Sequence, residues 1–387
     1  MKALHFAFRA LWRRKATSFF VAVIWALGMI GLAMTTRLER TAEAQLTRTL
    51  EGTDILLAAK GSPTQAILAH VFHRDQASGN IPIAEAEKWL RHPDLSHVRR
   101  LAYGDNYRGY RILGSDSATW NGVSQQPMQG RWPEVALEVV LPISIAEREG
   151  LTLGDHFHGS HGAVDDLGDH DEHHYTVVGL VTPDQAFWNE VIWTSLESVW
   201  AVHENSTPEY TAVLARIASP MTRLMLPGQI QRQSPLMAVS PAMEANRMVG
   251  WMNQGGAILR LISWLLTGIA SLSMFLLLQS HIRERLGEYA LVRAMGGTWG
   301  QIAALVLGQN LLLALLAFAL AYGTLAVAYA TSYWWLPSGF SLYSDLWWDL
   351  QPDRLWWVLH LFLALFAGLG PWVWLQKIPL HRALVDS

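Results

Sequence analysis

Six of the chain's fifteen histidines fall between Asp155 and His174, in DHFHGSHGAVDDLGDHDEHH: His156, His158, His161, His170, His173 and His174. Neutral imidazoles interspersed with Asp and Glu are nitrogen and oxygen ligands for Zn²⁺, Cu²⁺ or Ni²⁺. The chain has no cysteine, so no thiolate joins them and no disulfide braces the fold. The segment lies between two predicted strands, Leu151–His158 and Tyr175–Val181, and its glycines and acids predict a long hairpin loop. Composition leaves three readings open: a biased, solvated loop, weak capture or sensing of zinc or another divalent metal, and a defined site.

A second constellation is Ile282–Ile302, IRERLGEYALVRAMGGTWGQI. Arg283–Met295 are good helix formers, and Gly296-Gly297 supply a left-handed stop. A helix carrying Leu286, Ala290 and Val292 near Glu288 and Arg293 suits docking in the groove of a partner, against the plainer reading of a charged loop. Catalysis is not supported. HExxH and G-x-S-x-G are both absent, and so is the G-x-x-x-x-G-K-[ST] that would cradle ATP phosphates.

The elements that must position these residues are set by an uneven distribution of apolar residues. The chain is 51% hydrophobic and 16% charged, and four uncharged runs stand out: Thr17–Thr36, Leu261–Ser280, Ile302–Ala330 and Leu355–Gln376. Each reaches the roughly 20 helical residues needed to cross a hydrocarbon core. The first is read as an uncleaved signal anchor, being longer than a signal-peptide core and lacking a small-x-small site before Arg37. Lys2, Arg9, Arg13, Arg14 and Lys15 precede it without an acid, which puts the N-terminus in the cytoplasm and, after four crossings, the C-terminus with it.

The resulting plan is a cytoplasmic amphipathic helix in 1–16 with Leu4, Phe8, Leu11 and Trp12 on one face, a first span at 17–36, and an α+β ectodomain at 37–256. A second span at 257–280, a cytoplasmic helix at 281–301, a third span at 302–330, an outer loop at 331–354, a fourth span at 355–376 and a tail at 377–387 follow. Tryptophans such as Trp334, Trp347, Trp356 and Trp372 mark the membrane edges, and the amphipathic helix is read as lying on lipid. His360, the one ionisable residue inside a span, reads as a satisfied histidine. Residues 37–256 hold 26 acids and 17 bases, which excludes a nucleic-acid partner. Within them, Asp54–Ala58 reads as a buried strand, Ser62-Pro63 opens a helix, and Val98–Tyr103 and Tyr107–Leu113 read as strands.

Ile282–Ile302 resembles the coupling helix of MacB/FtsX/LolC-type (type VII) ABC permeases. Arg285, Glu288, Ala290, Arg293, Ala294 and Gly296 match its pattern, while Gly297 stands where alanine is commoner. The one-plus-three order of spans agrees, and Gly130–Phe157 and Tyr175–Pro183 are similar to the family's MacB-type periplasmic core. The resemblance implies an inner-membrane subunit without cofactor or catalysis of its own. It would pair with a second copy or a sister permease and with a cytoplasmic ABC ATPase that binds the ATP, and a periplasmic binding protein could join. The work implied is transport or extraction of an envelope substrate. The alternative is a mechanotransmission regulator of a periplasmic partner such as a cell-wall hydrolase.

Overall fold

The computed structural model describes residues 2–124, 127–160, 169–183, 186–202, 207–335 and 354–377. They form two compact units, one from Met1–Ala42, Trp251–Trp335 and the last helix, the other from Glu43–Gly250. The chain opens with α1 (Lys2–Arg13) and the long α2 (Lys15–Leu50). The first span and the polar helix expected after it are one uninterrupted helix.

The large domain runs β1 (Ile55–Ala59), α3 (Pro63–His70), β2 (Ile81–Pro82), α4 (Ile83–Leu90), β3 (Leu95–Tyr107), β4 (Tyr110–Ser115) and α5 (Ser117–Val123). It continues with β5 (Gln129–Gly130), β6 (Glu138–Pro142), α6 (Ile143–Glu149), β7 (His156–Ser160), β8 (Asp169–Val181) and β9 (Val191–Ser195). It closes with α7 (Leu196–Val202), β10 (Glu209–Tyr210), β11 (Ala212–Ile217), α8 (Pro220–Gln233) and β12 (Leu236–Val239). Among the described residues ten strands form one mixed sheet in the order β12-β1-β11-β3-β4-β9-β6-β8-β5, with β7 pairing β3 and β8.

Continuous apolar runs make the middle of that sheet buried on both faces. In β1, Leu56 and Ala58 enter one core with Leu101, Trp193 and Leu214. Ile55 and Leu57 enter the opposite core with Val213, Ile217 and Ile230. Helix α3 starts as expected, with Ser62 accepting from the Gln65 amide and Pro63 in the first turn. Gly150, at φ +70°, ends α6. Strands β3 and β4 meet at Arg108-Gly109, about three residues later than the turn expected between Tyr103 and Tyr107, because both residues adopt positive φ and close a two-residue hairpin turn.

The other unit adds α9 (Pro241–Glu284), α10 (Leu286–Ala294), α11 (Trp299–Ala330) and a last helix, Arg354–Gln376. Four of its helices, α2, α9, α11 and the last, are long and apolar enough to cross a membrane. Small residues set their close approach. A Cβ at Gly28 would lie 2.4 Å from Thr267 Oγ1 and 3.0 Å from the Ser263 carbonyl oxygen, so α2 and α9 touch backbone to backbone there. Trp25, Met29, Met274, Leu313 and Ala364 fill the core around this contact. Some buried polar groups in the bundle are bonded, Asn310 Nδ2 donating to the Ala364 carbonyl and His281 meeting Gln309 Oε1, while Asn310 Oδ1 and Ser271 Oγ have no partner. His360 Nδ1 lies 2.7 Å from the Trp356 carbonyl oxygen and its Nε2 3.3 Å from Thr267 Oγ1, a satisfied histidine.

Helix α1 differs from its expected single apolar face. Ala7 is fully buried and Leu11 packs on the bundle core, while Phe8 and Trp12 point outward and stack at 5.7 Å. The expected outer loop falls on residues 336–353 and most of the tail on 378–387, both outside the described residues.

Candidate functional site

Helix α10 is held very differently at its two ends. Before it, α9 stops at Glu284 and a single non-helical residue, Arg285 (φ −118°, ψ 19°), starts the new direction. The expected unbroken helix over Arg283–Met295 is therefore divided, with Arg285 at the joint. Its guanidinium reaches Glu288 at 3.4 Å on the exposed surface. Glu284, the last residue of α9, pairs with Arg14 at the α1–α2 turn, which brings the N-terminal basic cluster to the same end of the bundle as α10.

After α10 the chain is locked. Gly296 sits at φ +88°, the left-handed conformation that costs glycine little. The Gly297 amide donates to Val292 O at 2.8 Å and the Gly296 amide to Arg293 O at 3.0 Å, the two bonds of a Schellman cap. A Cβ on Gly297 would come within 2.6 Å of Val292 O, which explains glycine where alanine is commoner in the resembling family. Thr298 follows at once as the N-cap of α11. Its Oγ1 accepts from the Gln301 amide at 3.3 Å while Gln301 Oε1 accepts from the Thr298 amide at 3.0 Å, a full capping box. Arg293 Nη1 donates to Gly297 O at 2.8 Å and its guanidinium covers the Trp299 ring at 4.7 Å, tying the last turn of α10 to the first of α11.

The faces of α10 are also sorted. Leu286, Tyr289 and Val292 pack with Ile282, Ile302, Val306 and Leu375, and Ala290 is buried, so the apolar residues expected to dock a partner instead hold the helix to the bundle. Left outside are Glu288, Ala294, Leu291 at 55% exposure and Met295 at 73%. Leu291 and Met295 are one turn apart and form an exposed apolar stripe. Sequence reasoning missed both. Of the matched residues, Glu288 and Ala294 are on the open side, while Arg293 and Gly296 shape the turn.

Among the described residues of the histidine-rich segment, strand replaces part of the expected loop. Strands β7 and β8 carry the hairpin outward, so His156 and His158 lie on β7 and His170, His173 and His174 on β8; His161 lies outside the described residues. His158 and His174 are direct cross-strand partners with ring centroids 4.2 Å apart. His158 Nδ1 is buried without a hydrogen-bond partner, whereas His156 Nδ1 meets Thr176 Oγ1 at 2.9 Å. Among the described residues no group of three His, Asp or Glu is placed to hold a metal. The donor pair fits a two-nitrogen contact, short of a closed four-ligand cage.

Comparison with known proteins falls on the part containing α10. Residues 260–378 match the family described as FtsX-like permease C-terminal. No curated protein matches the chain. The periplasmic region of MacB from Actinobacillus actinomycetemcomitans is similar over 52% of this chain and 95% of that one, at 10% identity and a TM-score of 0.37. The extracellular domain of the noncanonic ABC-type transporter YknZ from Gram-positive bacteria is similar over 48% of this chain and 99% of that one, at 12% identity and a TM-score of 0.31. Four helices long and apolar enough to cross a membrane, a mixed α/β domain inserted after the first, and a capped rod between the second and third make up the described chain. Over residues 260–378 the chain is similar to the C-terminal part of FtsX-like permeases.

Proposed function

We propose that α10 is the docking rod for a separate cytoplasmic ABC ATPase, and that ATP hydrolysed there changes the conformation of the large domain to transport or extract an envelope substrate. One observation carries this reading: α10 offers Leu291 and Met295 outward while its C-terminal turn is bonded rigidly to α11. A push on the rod is then passed to a membrane helix instead of being absorbed in a loop. The basic N-terminal cluster at the same end as α10 supports N- and C-termini in the cytoplasm of a bacterial inner-membrane protein, with the large domain periplasmic. A second permease copy or a sister subunit completes the complex.

The test is co-purification with the ATPase of Leu291→Asp combined with Met295→Asp. Both side chains are exposed, so the thermal unfolding midpoint should stay unchanged while recovery of the ATPase falls at least tenfold. Undiminished recovery and full ATPase stimulation would remove the rod from the account. If the coupled complex moves no substrate but switches a bound periplasmic hydrolase, the regulator reading replaces transport.

The His158–His174 pair supports a second, smaller proposal, weak capture of zinc or another divalent ion by the hairpin. Zinc titration of the full-length protein should give a micromolar-range binding heat that His158→Ala reduces at least fivefold. Identical heats would assign the histidines no metal role.

A further inference from the structure

The large domain holds a polar cavity that neither α10 nor the hairpin uses. It occupies about 20 Å³, room for a water-sized guest or slightly more. His70 and His73 from the end of α3, Arg99 from β3, Thr53, Trp188 and Trp193 are among its lining residues. His70 and Trp193 are each 1% exposed, yet His70 Nδ1 and Trp193 Nε1 have no hydrogen-bond partner. Buried polar atoms are nearly always satisfied, so two orphaned nitrogens on residues that line one cavity point to a guest.

The chemistry of the walls defines that guest. An indole N–H can only donate. Arg99 donates to Thr53 Oγ1 and is half-buried, and burial lowers its pKa, the direction expected for a cation short of water. Behind the histidines, Arg111 lies 4.5 Å over the Tyr103 ring with its Nη1 unpartnered. That same ring stacks on His70 at 5.5 Å, and its hydroxyl meets His73 Nδ1 at 3.0 Å. Two permanent guanidinium charges and a donor-only indole repel a metal cation and attract an anion. His73 is held at φ +54°, left-handed for a residue with a side chain, a local strain that the surroundings maintain.

We propose that this cavity binds a small monoanion, a carboxylate or a halide, through Arg99, the Trp193 indole N–H and His70 Nδ1–H. The anion satisfies both orphaned atoms and adds to the partial compensation that the Asp116 carboxylate gives Arg99. Its source is either a free ion or the acid end of a larger molecule.

The experiment uses the full-length protein in nanodiscs, in chloride-free HEPES of matched ionic strength at pH 7. The thermal unfolding midpoint is followed while sodium formate, bromide or butyrate is added. Each anion should raise the midpoint with saturation in the millimolar range. Trp193→Phe, which keeps the ring and removes the donor, should weaken the apparent affinity at least tenfold, and Arg99→Gln at least as much. Butyrate binding tenfold tighter than formate assigns the site to the acid end of a larger molecule, and equal affinities assign it to a free anion. If Arg99→Gln fails to fold, Trp193→Phe alone decides. Midpoints unmoved by every anion, or moved equally in wild type and Trp193→Phe, overturn the proposal and leave a hydration site.

Discussion

The turn after α10 and the cavity beside His70 are opposite solutions to placing polar groups. At the turn, the amides of Gly296, Gly297, Thr298 and Gln301 and the Arg293 Nη1 all find partners within a short stretch of chain. In the cavity, Trp193 Nε1 and His70 Nδ1 come from distant parts of the sequence and find none. The turn bonds its own backbone, as the proposed transmission of load requires. The cavity leaves donors unspent, as the proposed anion site requires.

The largest expected effect separates the two by pH. Burial first, and then the Arg111 charge, pull His70 down to about 4 and His73 to about 3, with Arg99 and His70 adding to the effect on His73. Both folded values lie below the unfolded 6.5, so the unfolded chain binds more protons as pH falls. Stability from these neutral imidazoles is intact above pH 6.5 and is lost toward pH 4, by about 3 kcal/mol for His70 alone. Unfolding midpoints measured from pH 7 to pH 4 should drop steeply in wild type and less so in His70→Gln. A parallel drop in both would show that the cavity does not titrate in this range.

The next effect bears on the turn. Gly297→Ala places a methyl group against Val292 O, and the strain should cost about 2 kcal/mol and lower ATPase stimulation. An alanine variant as stable and as active as wild type would show that the turn has slack. The smallest effect comes from Thr298→Ala, which removes one half of the capping box and should cost about 1 kcal/mol in denaturant unfolding, with no change in the pH profile. A changed pH profile would mean that the two regions are not independent.

These differences also explain what could be read from the sequence. Gly296-Gly297-Thr298 and the apolar spans act through local chemistry, and the caps, the turn and the four long helices follow from them. The outward face of α10 was not legible, because whether Val292 or Leu291 is buried depends on Ile302, Val306 and Leu375, which come from other helices. The hairpin itself was legible, but its strands reach further than expected, to Ser160 and from Asp169, because cross-strand pairing such as His158 with His174 overrides the turn preference of Gly, Asp and His. The cavity left no local signal at all. His70 and His73, three residues apart, resemble any pair near a helix end until Arg99 and Trp193 are folded against them.

The turn at Gly296-Gly297 makes α10 and α11 a cranked lever with unequal arms. Nine residues give a short arm of about 13 Å and 32 residues a long one of about 48 Å, so under the proposed coupling a 1 Å stroke at the tip would become roughly 3–4 Å at Ala330. Gearing of this kind trades force for reach, and a motor gripping Leu291 would need only a short pull.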